Sequence, residues 1–174
     1  MNREILLDAS LLQKKIRRWI GFFIIALTLS GLTALGVETQ MGLVSGLFPS
    51  EQTMVGQWLV KVHAAISDMN HQYPFLSYGF DWLAFAHLVI AVVFIGPLKD
   101  PVRNKWVIQF GRIACLMVFP FALLAGGFRG LPLWWRFIDC SFGLIGLVPL
   151  TICYKLIEKL EKLSTSTHSF SSCK

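Results

Sequence analysis

Six ionisable residues, Glu38, Asp81, His87, Arg129, Arg136 and Asp139, stand at the edges of long apolar runs or inside them. Together they supply carboxylates, guanidinium cations and an imidazole, the side chain whose ordinary titration falls nearest neutrality. Such a set can bind an anionic headgroup, relay a proton, or lend general acid/base help to a lipid-linked substrate. Arg129, Arg136 and Glu38 are the candidate ligand contacts, and His87, Asp81 and Asp139 the candidates for proton transfer and hence for a catalytic role. The same residues can instead form an internal salt-bridge network that fixes helix register, with His87 satisfied by a neighbouring backbone or hydroxyl group.

Spacing says which way some of these groups turn. Arg136, Asp139, Gly143 and Gly146 follow one another at steps of three and four, so in a helix they share a stripe. Small residues let helices approach closely in membranes, which turns this stripe toward protein or a polar cavity rather than lipid. A charge near mid-membrane costs about 2.5–3.5 kcal/mol on insertion scales. An arginine at a helix N-terminus also meets the positive end of the helix dipole. Arg136 therefore calls for a negative partner: Asp139, Asp81, Glu38, or the phosphate of a lipid or ligand. His87, further along the chain than Asp81, lies about 9 Å deeper at ~1.5 Å per residue.

A second polar stripe, Lys105, Gln109 and Arg112, falls on the inner side. Arg112 would lie about 9 Å deeper than Trp106 by the same rise. It either snorkels to the headgroups or belongs to a cytoplasmic site for an anionic ligand or a partner. Other chemistries find no support. Cys115, Cys140, Cys153 and Cys173 form no C-x-x-C pair, so neither a dithiol redox centre nor a cysteine zinc site is expected. Of His63, His71 and His87, only His87 falls in an apolar span, which argues against two facing haem ligands. No cofactor and no metal site is expected, and no reaction is assigned.

These residues must be positioned by membrane helices. The chain has 174 residues, 55% of them hydrophobic and only 15% charged, which is far outside the soluble balance and leaves room for one domain. Apolar runs place spans at about 19–37, 80–98, 104–126 and 134–154. With the N-terminus inside, thirteen of the sixteen Lys and Arg residues fall on the cytoplasmic side and only Lys61, Arg129 and Arg136 outside. Both termini are accordingly expected in the cytoplasm, and this asymmetry, rather than nucleic-acid binding, accounts for the net charge of +6. Trp19 and Trp106 fit the inner interface, and Trp82, Trp134 and Trp135 the outer one. The first apolar run is too long for a signal-peptide core, so it is read as a span.

Residues 1–18 read as a short amphipathic segment on the inner surface, or as a lead into the first span. The stretch from Val37 to Phe80 is too long for a structureless loop. Within it, Ser50 as N-cap and Glu51 precede Val55, Trp58, Leu59, Val62, Ile66 and Met69, an amphipathic periodicity that predicts a helix over 51–69 on the outer side. Asp100 is expected to cap the third span, with Pro101 as its first residue. Beyond residue 154 the last span continues as a helical extension, where Glu158 and Lys162 make an i,i+4 pair, followed by a disordered polar tail.

The stretches "DWLAFAHLVIAVVFIGPLKDPVRNKW" and "RGLPLWWRFIDCSFGLIGLVPL", with "SGLTALGVETQ", resemble a family of small bacterial inner-membrane proteins with four transmembrane helices. The resemblance covers about Tyr73 to Leu150 and implies a bacterial inner membrane as the location; it transfers no activity and no catalytic residue. The expected fold is thus an all-α membrane protein, a four-transmembrane-helix bundle with an amphipathic extracytoplasmic helix between helices 1 and 2. The expected function is binding of a small amphiphile or lipid-linked anionic ligand at an outer-leaflet polar site. The alternative is a non-enzymatic accessory or assembly subunit whose polar cluster is structural glue. Membrane lipids, and a membrane protein partner or a second copy of the chain, are the expected partners.

Overall fold

A backbone in lipid must satisfy its own N–H and C=O groups, and an apolar run does this alone only as a helix. The computed structural model describes residues 3–47 and 53–171. These form α1 (Arg3–Ala34), α2 (Val37–Leu47), α3 (Met54–Gln72), α4 (Pro74–Val93), α5 (Ile95–Lys99), α6 (Lys105–Phe128) and α7 (Leu133–Ser171), with no strand among the described residues. Four stretches, Leu7–Ala34, Pro74–Lys99, Lys105–Phe128 and Leu133–Leu163, are helices long and apolar enough to cross a membrane. Large apolar side chains along them, such as Trp82, Phe110, Phe121, Phe142 and Ile145, are exposed, whereas among the described residues no polar or charged one is buried. That is the surface of a membrane protein rather than of a soluble one.

Helix ends differ from expectation for local reasons. Residues 3–18 are not a separate helix but the first half of α1, since no Gly or Pro interrupts the chain before Gly21 and Ile16 and Ile20 carry one buried face onward into Phe23. α1 stops where Gly36 takes a positive φ of 71°, a conformation that turns the chain into α2. The expected cap residues Ser50 and Glu51 lie outside the described residues; Thr53 caps α3, its hydroxyl accepting from the Gly56 N–H at 3.1 Å. α4 opens on Pro74, where a missing N–H costs nothing. It breaks at Phe94 because Pro97 has no N–H to give the Val93 carbonyl.

The Asp100 expectation needs correcting in register. Asp100 accepts from the Arg103 N–H at 3.0 Å and so caps the 101–104 turn, while Asn104 donates to the Gly96 and Asp100 carbonyls at 3.2 and 2.9 Å. α6 therefore begins at Lys105, and Pro101 sits in the turn rather than at the helix start. α7 is continuous to Ser171, which takes in most of the polar tail.

The described chain divides into two compact units, residues 26–91 and the remainder. In the larger unit, Ile16 and Ile20 of α1, Phe94, Ile108 of α6, and Leu150, Cys153 and Ile157 of α7 are fully buried. Phe94 packs on Phe23 with ring centroids 4.6 Å apart, and α6 lies so close to its neighbours that a Cβ on Gly111 would come within 2.7 Å of Phe94 and 2.8 Å of Leu150. Further along the α6–α7 seam, a Cβ on Gly143 would meet the Cys115 carbonyl at 2.8 Å. In the smaller unit, α2 packs on α3. There α1 meets α4 at Gly31, whose absent Cβ leaves room for the His87 side chain and the Ala84 carbonyl.

Candidate functional site

The six residues read as an outer cluster divide between the units: Glu38, Asp81 and His87 belong to the smaller one, Arg129, Arg136 and Asp139 to the larger. Glu38 lies in the first turn of α2 and accepts a hydrogen bond from the Asn70 amide of α3, whose carbonyl oxygen accepts from the Ser77 hydroxyl of α4. The Asn70 amide first, and then the Ser67 hydroxyl, hold the Glu38 carboxyl below its ordinary value. Glu38 is thus committed to joining helices. His87 donates from Nδ1 to the Leu83 carbonyl of its own helix at 2.8 Å, and its Cβ lies against Gly31. Asp81 is exposed on a different face of α4, about 120° round from His87 at 3.6 residues per turn, beside an open depression lined by Tyr78, Trp82 and Phe85. The structure does not bring Asp81 and His87 together.

Arg136 finds its negative partner in backbone rather than in a carboxylate. The α6 C-terminus closes with the Leu131 N–H donating to the Gly126 carbonyl at 2.9 Å and the Gly130 N–H to the Gly127 carbonyl at 3.1 Å, while Gly130 adopts a φ of 68°. That is a Schellman closure, and it needs a glycine at the left-handed position. It leaves the Leu131 carbonyl pointing back, and the Arg136 Nε donates to it at 2.9 Å. The guanidinium stem crosses Gly126 and Gly127, where added Cβ atoms would come within 3.0 Å of Cγ and 3.3 Å of Nη1. An arginine is well placed there, since the C-terminal end of α6 is the negative end of its dipole. Among the described residues no carboxylate lies within 4.0 Å of Arg136, and Asp139, half-buried one turn on, has no cation that close. Arg129 is the exposed cap residue of α6. The shared stripe turns toward protein at Arg136, Gly143 and Gly146, where its neighbour is α6.

The second stripe meets partners that sequence reasoning missed. Lys105 forms an ion pair with Glu161 of α7 at 2.7 Å and lies 3.9 Å from Glu158, the residue expected to pair with Lys162. Tyr154 of α7 presents its ring to both cations, with Lys105 Nζ 4.9 Å and Arg112 Cζ 4.6 Å from the centroid. Gln109 remains exposed. The available signal was the run Tyr154, Glu158 and Glu161, which shares one helix face at steps of four and three. No group of three or more His, Cys, Asp or Glu residues among the described residues could hold a metal ion. Compared with known proteins, the chain matches no family model, no curated protein and no solved structure.

Proposed function

We propose that this chain is a non-enzymatic accessory or assembly subunit of a larger membrane complex, seated in a bacterial inner membrane with both termini in the cytoplasm and α3 on the outer side. The observation that carries this reading is that three of the groups best suited to chemistry are already engaged within the fold. Glu38 is held by Asn70, His87 by the Leu83 carbonyl, and Arg136 by the Leu131 carbonyl over the Gly126–Gly127 pair. Polar groups so engaged fix helix register and leave the exposed apolar faces as the working surface. The orientation rests on the charge asymmetry, thirteen basic residues against three.

One observation favours a second reading. Asp139 is half-buried in α7 without a cation within 4.0 Å among the described residues. A carboxylate so placed is available to exchange a proton with an amphiphile whose anionic headgroup meets the exposed Arg129. Native mass spectrometry of the protein extracted in mild detergent separates the two. The accessory reading expects a stoichiometric protein partner, with Arg136→Ala lowering the stability of the chain and Asp139→Asn leaving the partner bound. A partner-free wild type carrying an anionic amphiphile that Arg129→Gln loses while folding normally refutes it in favour of the second.

A further inference from the structure

We propose that Arg112, stacked on Tyr154 between α6 and α7, binds a phosphate group, as carried by an anionic lipid headgroup at the basic end of the larger unit. Arg112 lies within a helix apolar enough to cross a membrane, yet no hydrogen bond or ion pair joins its guanidinium to any described residue, and its Nε is buried with no partner. The Tyr154 ring covers one side of the cation, with Cζ 4.6 Å from the centroid. A guanidinium lying over a ring keeps its N–H donors in its own plane, free for an acceptor that approaches edge-on. Lys105, which shares the ring, takes both nearby carboxylates, Glu161 at 2.7 Å and Glu158 at 3.9 Å, and among the described residues no carboxylate lies within 4.0 Å of Arg112.

Among the described residues no acceptor meets this half-buried cation, and a charged donor in an apolar span is unfavourable without one, so its outer N–H groups are the ones open to an acceptor from outside the chain. Phosphate suits the planar fork, which can grip two of its oxygens at once. The depth suits it too. Side chains on a helix lean toward its N-terminus, and α6 starts at this end, so Arg112 leans back toward the headgroups. The local field has the right sign. Arg17 donates to the Lys99 carbonyl at 3.4 Å and Cys153 to that of Ile16, so the basic residues Lys14 to Arg18, Lys99 and Arg103 gather at the end of the bundle where α6 begins.

Native mass spectrometry in mild detergent tests this with phosphatidylglycerol, diacylglycerol of the same chains, and inorganic phosphate. The wild type should retain a phosphatidylglycerol adduct that diacylglycerol does not form. Arg112→Gln should weaken it by roughly tenfold, the size of a charged hydrogen-bonded contact. Gln109→Glu, an exposed change that offers Arg112 a carboxylate three residues away, should weaken it as well and decides the matter if Arg112→Gln does not fold. Displacement of the lipid by inorganic phosphate supports the site and assigns it to a free phosphate ligand; resistance to displacement assigns it to the headgroup. Equal retention in the foldable variants, or equal binding of diacylglycerol, overturns the proposal.

Discussion

Gly143→Ala tests the closest approach between α6 and α7. The added methyl would sit 2.8 Å from the Cys115 carbonyl oxygen and 3.1 Å from Val118 Cβ, against an ordinary contact of 3.4 Å or more. Because one obstacle is backbone, the helices must part by several tenths of an ångström, and overpacking of this kind costs about 1–3 kcal/mol. Replacing Gly by Ala within a helix returns up to about 1 kcal/mol. The net expectation is a loss of about 1 kcal/mol, taking ~2 for the overpacking term. Gly79→Ala in α4 is the control: nothing lies within 4 Å of the new methyl, so only the propensity gain remains. The two variants should therefore differ by about 2 kcal/mol with opposite signs. Titrating the micelle-bound protein with sodium dodecyl sulfate and following tryptophan fluorescence gives both midpoints. A Gly143→Ala protein as stable as Gly79→Ala would refute the close approach of α6 and α7.

Gly130→Ala forces an L side chain into the left-handed region at φ 68° and should cost about 1–2 kcal/mol in the same titration; an unchanged midpoint contradicts the Schellman closure that presents the Leu131 carbonyl to Arg136. Glu38 is held below its ordinary carboxylate value of 4.5, so its contribution to joining α2 and α3 is complete above that value and is lost as pH falls through the lower folded value. Hydrogen exchange of α2 amides should accelerate in that acid window in the wild type and show no such step in Glu38→Gln. Lys105→Gln removes the ion pair with Glu161, whose partners are 24% and 34% exposed. The loss should stay below about 1 kcal/mol and shrink with added salt; a loss insensitive to salt would point to the Tyr154 contact instead.

The candidate site was legible in part. The steps from Arg136 to Gly146 turned a stripe toward protein rather than lipid, and at Arg136, Gly143 and Gly146 the neighbour is α6, because helical periodicity reports which residues share a face but not what that face meets. They did not reveal that a backbone carbonyl meets Arg136, since main-chain acceptors leave no mark in residue types. Asn70 went unnoticed as the partner of Glu38 because the two stand 32 residues apart on separate helices and neither type is distinctive. Residues 1–18 left two readings open, a surface segment or a lead into the first span, and α1 takes the second. Charge near residues 14–18 suggested a surface segment, whereas Ile16 and Ile20 on the opposite face are fully buried.

By itself the sequence determined that the protein is helical and carries four stretches able to cross a membrane, because apolar length and backbone hydrogen bonding in lipid leave a chain little choice. It also determined which residues share a helix face. Only the tertiary structure decided which neighbour each face meets: Tyr154 and Glu161 for the Lys105 stripe, the α6 C-terminus for Arg136, Gly31 for His87. Those pairings depend on how closely helices pack and at what register. Both follow from where glycines permit contact across elements remote in sequence, and periodicity along one helix does not encode them.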